Sequence, residues 1–370
     1  MKFVFLGVQL AALVKFRSAL IRELVSAGHE VVAIAPEATA YWLDQLAATG
    51  ARYKAPPMAR NGLNPLWDMY LLVWLIQTLW SEKPDVLFCF QAKAVIYGLP
   101  AGFVARVRRR VAMIEGLGQG FIKGQGLKRR IVRFIVPVLY FISLCFGHKV
   151  IFLNADDEAD FLRLRLARAR QTARIPGIGV DLSRFAFTPL PPGPLVFLMI
   201  GRLIADKGVR EYLAAAQQVK ERYPETVVQL IGEADTTHAG VPLSEITATR
   251  AVEYLGEVPD VAPYLRSCHV FVLPSYREGM PMACMEALAT GRAVIVTDAP
   301  GTREMIKNHE NGELVPVRDS HALAAAMIKL IDSRQTLAQK GTLSRQLAEA
   351  RFDSRVITQQ VIDILMGRTA

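Results

Sequence analysis

Short, almost uninterrupted apolar runs alternate along this chain with longer stretches in which apolar residues recur every three or four positions. Runs of the first kind occupy about Lys2 to Leu6, Glu30 to Ala35, Val86 to Phe90, Val111 to Glu115 and Lys149 to Leu153. Their length and uniform hydrophobicity suit strands buried on both faces, as in parallel sheets. A second series lies near Val196, Val227, Tyr254, Val270 and Val294. Helical periodicity fills the intervals, as from Val209 to Tyr223 and from Ser320 to Ser333, and the segment Leu343 to Met366 closes the chain. Strands that alternate with helices predict an α/β fold, here two doubly wound parallel units. The proline-rich stretch Thr188-Pro189-Leu190-Pro191-Pro192-Gly193-Pro194 reads as the end of a linker. The expected organisation is a first domain over 1–165, a linker region over 166–194, a second domain over 195–350 and a terminal helix over 351–370.

Composition agrees with two packed domains. The chain has 370 residues, 52% of them hydrophobic, enough for two cores of ordinary size and too apolar for disorder. Cys89, Cys145, Cys268 and Cys284 are scattered with no C-x-x-C pair, which fits apolar residues in a reducing compartment. The run Met1 to Gly7 is too short for a signal segment and reads as a first strand entering a loop.

Charge changes the picture. Residues 1–185 hold 25 Lys and Arg against 13 Asp and Glu, a net +12, whereas the remainder is −2, for +10 overall. In the basic half, Leu63 to Trp80 is rich in Trp, Tyr, Leu and Met, and Lys128-Arg129-Arg130-Ile131-Val132-Arg133 runs into the apolar stretch Phe134 to Phe146. Neither segment reaches the roughly 20 apolar residues that a membrane helix needs. Basic residues beside aromatic-rich helices suit docking on an anionic lipid surface, and core helices with solvated cations are the plainer reading. No recognition module for nucleic acid accompanies the charge.

Candidate chemistry concentrates in the second half. In Glu278-Gly279-Met280-Pro281-Met282-Ala283-Cys284-Met285-Glu286, two carboxylates stand eight positions apart around a Gly-Met-Pro turn that opens an apolar helix. Pro281 suits the first helical turn, where its missing N–H costs nothing. Glu278 then precedes the helix, near its unpaired amides, and Glu286 lies about one and a half turns inside. Upstream, a strand from Leu195 to Ile200 ends in Gly201-Arg202-Leu203-Ile204-Ala205-Asp206-Lys207-Gly208. Arg202 and Lys207 at a strand end suit a diphosphate clamp. Two other leads are weaker. Asp156-Asp157-Glu158-Ala159-Asp160 follows Asn154 and reads as the acidic first turn of a capped helix rather than a metal site. Gly116-Leu117-Gly118-Gln119-Gly120 does not follow the first strand, as a dinucleotide fingerprint must.

These motifs resemble the retaining GT-B glycosyltransferases of family 4, marked by E-x7-E. The likeness rests on GRLIADKG, LPSYREGMPMACMEALATGRAVIVTDAPGTREMI and NGELVPVRD in the second half. In the first half it rests on KPDVLFCFQAKAVIYG, EGLGQGF, HKVIFLNADDEADF and IPGIGVDLSRF. It covers nearly the whole chain in family order, and is greatest to the capsule, O-antigen and protein-glycan subgroup that extends sugars on polyprenyl diphosphate carriers.

The resemblance implies two Rossmann-like domains facing across a cleft, an acceptor-side domain first and a nucleotide-sugar domain second, with the last helix returning to the first domain. It implies transfer of a hexose or N-acetylhexosamine, with retention, from a nucleotide sugar. The donor is expected to be UDP-linked, with GDP-mannose as the other possibility. The acceptor is expected to be a lipid-linked saccharide, with the protein peripheral on the cytoplasmic face of the membrane. Arg202, Lys207 and Glu278 are the expected catalytic residues. Gly7, Gly201, Arg202, Lys207, Glu278, Gly279, Met280, Met282 and Glu286 are expected around the donor, Glu286 on the ribose. Lys15, Glu115 and Gly116 are expected on the acceptor or donor-sugar side. No cofactor and no metal are expected, two cations and a helix dipole neutralising the diphosphate. Members of the family often carry histidine where this chain has Glu115. Here the carboxylate is open to three roles: binding a sugar hydroxyl, binding an amine of the acceptor, or holding the glycine loop. A transferase for soluble acceptors is the alternative, and a sugar-binding protein without turnover a more distant one.

Overall fold

A computed structural model describes residues 1–36, 38–58, 65–116, 127–235 and 240–368. The chain divides into two units, one of residues 1–175 with 357–370, the other of residues 176–356.

The first unit contains β1 (Lys2–Leu6), α1 (Leu10–Ser26), β2 (Glu30–Ile34), α2 (Ala40–Ala47), β3 (Arg52–Lys54), α3 (Pro65–Glu82) and β4 (Val86–Phe90). It continues with α4 (Ala92–Val104), β5 (Arg109–Ile114), α5 (Leu127–Leu144), β6 (Lys149–Phe152), α6 (Ala155–Arg163) and β7 (Thr172–Arg174). The second contains β8 (Val196–Ile200), α7 (Val209–Arg222), β9 (Val227–Ile231), α8 (Leu243–Ala248), β10 (Glu253–Tyr254), α9 (Ala262–Ser267) and β11 (Val270–Leu273). It ends with α10 (Met282–Thr290), β12 (Ala293–Thr297), β13 (Gly312–Val315), α11 (Ser320–Asp332), α12 (Leu337–Arg351) and the start of α13 (Ser354–Met366).

Both sheets are parallel throughout. Their strand orders are β3-β2-β1-β4-β5-β6-β7 and β10-β9-β8-β11-β12-β13. Central strands such as Phe3-Val4-Phe5-Leu6 and Val270-Phe271-Val272-Leu273 are buried along their length, because helices cover a parallel sheet on both faces. In each unit the order reverses direction once, between β1 and β4 and between β8 and β11. Open α/β sheets bind ligands at such a switch point, beyond the carboxyl ends of the strands.

Several segments depart from the sequence reading, among them β13, whose strand Gly312–Val315 it did not include. The edge strands β3 and β7 have no apolar run to announce them; Arg52-Tyr53-Lys54 and Thr172-Ala173-Arg174 are only partly covered. The proline-rich stretch is fastened to the second unit. Buried Arg292 donates through Nη2 to the carbonyl of Thr188 (2.7 Å), and His269 Nε2 lies 3.0 Å from the carbonyl oxygen of Pro191. The closing segment is two helices broken at Phe352 and Asp353. Residues 357–370 complete the first unit, where Arg109 Nε donates to the Ile364 carbonyl (2.9 Å).

The apolar segments of the basic half form α3 and α5, which flank α4. Leu71, Leu75 and Leu79 face the core, while Leu66, Trp67, Met69, Tyr70, Val73 and Trp80 of α3 are exposed. On α5, Phe134, Val138, Phe141 and Ile142 are exposed as well. Trp74 is packed partly against the core, so Trp67 and Trp80 are the tryptophans of this outer face. Among the described residues no helix is long and apolar enough to cross a membrane. The side chains of Lys128, Arg129, Arg130 and Arg133, and the loop Leu117 to Phe121, lie outside the described residues.

Candidate active site

In the second unit the two candidate loops leave neighbouring strands. After β8, Gly201 and Arg202 lead into a single 3-10 turn, Ala205–Lys207, and then to Gly208. Gly208 has φ +72°, and a Cβ there would come within 2.2 Å of the Pro274 carbonyl oxygen. Only glycine lets this loop settle against the end of β11. The Tyr276 amide, in turn, donates to the Asp206 carbonyl (2.9 Å). The loops are thus joined by backbone, and Lys207 Nζ sits 2.5 Å from Glu278 Oε1. Arg202 is more open, with 58% of its side chain exposed and Asp235 at 3.8 Å.

A third loop presses on Glu278 from β12. The Glu278 amide donates to the Pro300 carbonyl (3.0 Å), and Gly301, at φ +78°, leaves no room for a Cβ beside the Glu278 carbonyl oxygen (2.5 Å). Beneath it, the Thr302 hydroxyl shares its one proton between the carbonyls of Thr297 (2.8 Å) and Ala299 (2.9 Å). Met280 is buried and Gly279 and Met282 half-buried. Pro281 stands one position earlier than the sequence suggested, as the residue capping α10 with φ −78° and ψ 106°. Its carbonyl accepts from the amides of Cys284 and Met285. The amides of Met282 and Ala283 therefore have no acceptor within the helix, and they carry the positive end of its dipole.

Glu286 lies one turn further along α10. Burial pushes its carboxyl up to about 7; nearby Arg184 opposes that shift and Asp260 adds to it. A carboxylate so placed is costly to ionise until a ligand supplies hydrogen bonds. Two groups that sequence reasoning missed support the same loops. The Tyr276 hydroxyl donates to Glu211 Oε1 (2.6 Å), and the Arg318 guanidinium lies over the Tyr276 ring at 4.6 Å. Burial, then that carboxylate, pushes the Tyr276 phenol up to about 12.

In the first unit, Gly7 follows β1 and lies against the ring of Phe90 at the end of β4. The Val8 amide donates to Gln91 Oε1 (2.9 Å), tying the two loops at that switch point. Glu115 and Gly116 follow β5. Lys15 is exposed and stacks over Trp42 at 5.4 Å. The residue of α1 that reaches Glu115 is Arg17, two positions on, which makes an ion pair with it. A signal for this was present. Leu10, Leu13, Val14, Leu20, Ile21 and Leu24 are the buried apolar residues of α1, and Arg17 falls in their helical register and is buried with them.

The acidic cluster after β6 is a helix start. Asn154 Oδ1 accepts from the Asp157 amide (2.7 Å), and the acids line the first turn of α6. Among the described residues no group of three His, Cys, Asp or Glu side chains could hold a metal ion.

Residues 14–177 match the model of the glycosyl transferase 4-like domain, and residues 194–333 that of glycosyl transferases group 1. Together they cover most of both units. The chain belongs to this glycosyltransferase family. Among curated relatives it is 28% identical to the N,N'-diacetylbacillosaminyl-diphospho-undecaprenol alpha-1,3-N-acetylgalactosaminyltransferase of Campylobacter jejuni, over 98% of each chain. It is 26% identical to the UDP-Gal:alpha-D-GlcNAc-diphosphoundecaprenol alpha-1,3-galactosyltransferase of Escherichia coli, over 75% of this chain and 74% of that one. Among solved structures, Anabaena Alr3699/HepE in complex with UDP superposes with TM-score 0.78 at 20% identity, over 99% and 100% of the two chains. The glycosyltransferase therefore has the GT-B fold, with Lys207, Glu278 and the start of α10 at the switch point of its second unit.

Proposed function

We propose that this glycosyltransferase moves a hexose or N-acetylhexosamine, with retention, from a UDP-sugar to a saccharide on polyprenyl diphosphate. The observation that carries the donor half is the convergence of Lys207, Glu278 and the open amides of α10 where β8 meets β11. Breaking a sugar–diphosphate bond places negative charge on the leaving phosphate. Lys207, Arg202 and those amides are fixed donors for that charge, the arrangement that usually contributes most to catalysis. An ammonium has three N–H donors, so Lys207 can keep Glu278 and still bind phosphate. Glu278 orients Lys207 and accepts from the sugar, and Glu286 accepts from the ribose hydroxyls. In this reading the neighbouring Gly201, Gly279, Met280 and Met282 shape the donor pocket, and the two cations with the helix dipole serve in place of a metal ion.

The acceptor half rests on the relatives, whose names specify undecaprenol-linked diphosphate sugars, and on the exposed apolar face of α3 and α5 in the basic unit. Such a face suits a protein peripheral on the inner surface of the cell membrane, with the acceptor side in the first unit. Incubation with UDP-galactose, UDP-N-acetylgalactosamine, UDP-glucose, UDP-N-acetylglucosamine and GDP-mannose, each with a short-chain polyprenyl-diphosphate-linked N-acetylhexosamine and with free oligosaccharides, tests it. Product mass identifies donor and acceptor, anomeric coupling constants give the stereochemistry, and a chelator checks for a metal. Transfer only to free oligosaccharide would replace the lipid-linked acceptor by a soluble one.

A further inference from the structure

Arg17 is a buried cation that the donor chemistry does not use. It is 2% exposed on the inner face of α1. Its Nη2 pairs with Glu115 and lies 3.0 Å from Met113 Sδ, and its Nη1 donates to the Phe16 carbonyl (3.0 Å). The guanidinium also lies 5.1 Å from the centroid of the Phe90 ring, and its buried Nε has no partner. Burial lowers the pKa of the guanidinium, and the Glu115 charge only partly offsets that. A buried ion pair of this kind is commonly no more stabilising than apolar residues of the same volume. Its cost therefore points to a role other than stability.

The position of the partner suggests that role. Glu115 follows the last residue of β5, beside β4 and one strand from β1, so it stands at the carboxyl edge next to the switch point. Its side chain is 24% exposed, against 3% for Arg17, so the pair is open to solvent on the Glu115 end. The Glu115 charge also reaches Tyr140 of α5, whose phenol is pushed up by burial and further by the charges of Asp157 and Glu115. A carboxylate held by a guanidinium offers acceptors and no donor.

We propose that Arg17 is a positioning residue that fixes Glu115 as a hydrogen-bond acceptor, and that this carboxylate reads a hydroxyl or amide N–H on the acceptor saccharide. The inference rests on the reading of the first unit as the acceptor side. It converts a strand-end glutamate into a specificity element, because a site built to hydrogen-bond a polar group rejects analogues that lack it.

The test is steady-state kinetics of Glu115→Gln, Arg17→Met, Arg17→Lys and the double variant E115Q/R17M. KM would be measured separately for the UDP-sugar and for a short-chain polyprenyl-diphosphate-linked N-acetylhexosamine. We expect E115Q to raise KM for the acceptor at least tenfold and to leave KM for the donor within twofold. R17M should reproduce that pattern, R17K should recover part of it, and the double variant should be no worse than the poorer single one. An unchanged acceptor KM in E115Q, a shift confined to the donor, or losses that multiply in the double variant would overturn the proposal. Should R17M fail to fold by circular dichroism, E115Q decides alone. If the wild type transfers no sugar to that acceptor, the lipid-linked reading fails separately. Calorimetric titration of the free oligosaccharide that does accept sugar into wild type and E115Q then decides the inference: tenfold weaker binding supports it and equal affinity overturns it.

Discussion

Lys207 and Glu278 stand 71 residues apart in the chain and 2.5 Å apart in space. Their pairing spans the switch point of the second sheet, where β8 and β11 are neighbours. It presents an ammonium already oriented before a diphosphate arrives, and preorganisation of that kind lowers the reorganisation cost of the reaction.

Removing that ammonium should therefore act on turnover. Lys207→Ala is expected to lower kcat by about 10²–10³-fold, the scale of one lost oxyanion donor, with a smaller change in donor KM. Arg202→Ala should cost less, about tenfold, because its side chain is 58% exposed and screened by water. Steady-state rates at saturating acceptor provide the comparison, and wild-type turnover in both variants would remove the diphosphate assignment.

Glu286 makes the second prediction one of pH. Its carboxyl titrates near 7 because it is buried, above its ordinary value of 4.5. Between those values the folded state binds more protons than the unfolded one, so this group lowers stability as pH rises through that window. Glu286→Gln should flatten the corresponding slope of Tm against pH. If the ionised form accepts from ribose hydroxyls, wild-type affinity for UDP should rise as pH passes through about 7. The variant should bind weakly at every pH. Calorimetry from pH 5.5 to 8.5 reads both, and equal, pH-independent affinities would place Glu286 outside the ribose site.

Far from the sites, Glu82 at the end of α3 gathers Arg52, Lys54 and Lys2. The hydrogen bond from Arg52, then those from Lys54 and Lys2, bring its carboxyl down to about 2 against the opposing effect of burial. A depressed folded pKa stabilises above the unfolded value of 4.5 and is lost as pH falls towards 2. The shift alone corresponds to about 3 kcal/mol, and screening of the half-exposed Arg52 reduces that to about 1–2 kcal/mol. Glu82→Gln should therefore unfold more easily than wild type at pH 7, with the difference vanishing near pH 2. Denaturant titrations at the two pH values would show it, and an equal difference at both would mean that the charge is not responsible.

The exposed apolar face of α3 and α5 makes the proposed membrane docking testable. Sedimentation with liposomes should carry the protein down with anionic vesicles at low salt and release it as salt rises, since exposed charges are screened within about 8 Å at physiological ionic strength. Replacing exposed Trp67 and Tyr70 together by Ser should weaken this binding and leave transfer to a detergent-dispersed acceptor unchanged. A wild-type protein that remains in the supernatant at low salt would favour a soluble acceptor.

Much of this was legible from the order of residues alone, because it depends on local pattern. Buried central strands need uninterrupted apolar runs, so Lys2–Leu6, Val86–Phe90 and Val270–Leu273 announce themselves, and their alternation with helices specifies parallel sheets. The spacing of Glu278 and Glu286 about a helix start is equally local, as is the Asn154 cap. Tertiary structure decided what depends on partners distant in sequence. Strand order, not spacing, brings Lys207 to Glu278. The rotation of α1 sends Lys15 to Trp42 and Arg17 to Glu115. Arg292 and His269 turn a proline-rich stretch into part of the second unit. Burial, set by everything packed around α10, raises the Glu286 carboxyl towards 7, and the Asp260 charge, from another part of the chain, adds to it. A residue type states which charge is available; the desolvation and the partners that give it a function come from the fold.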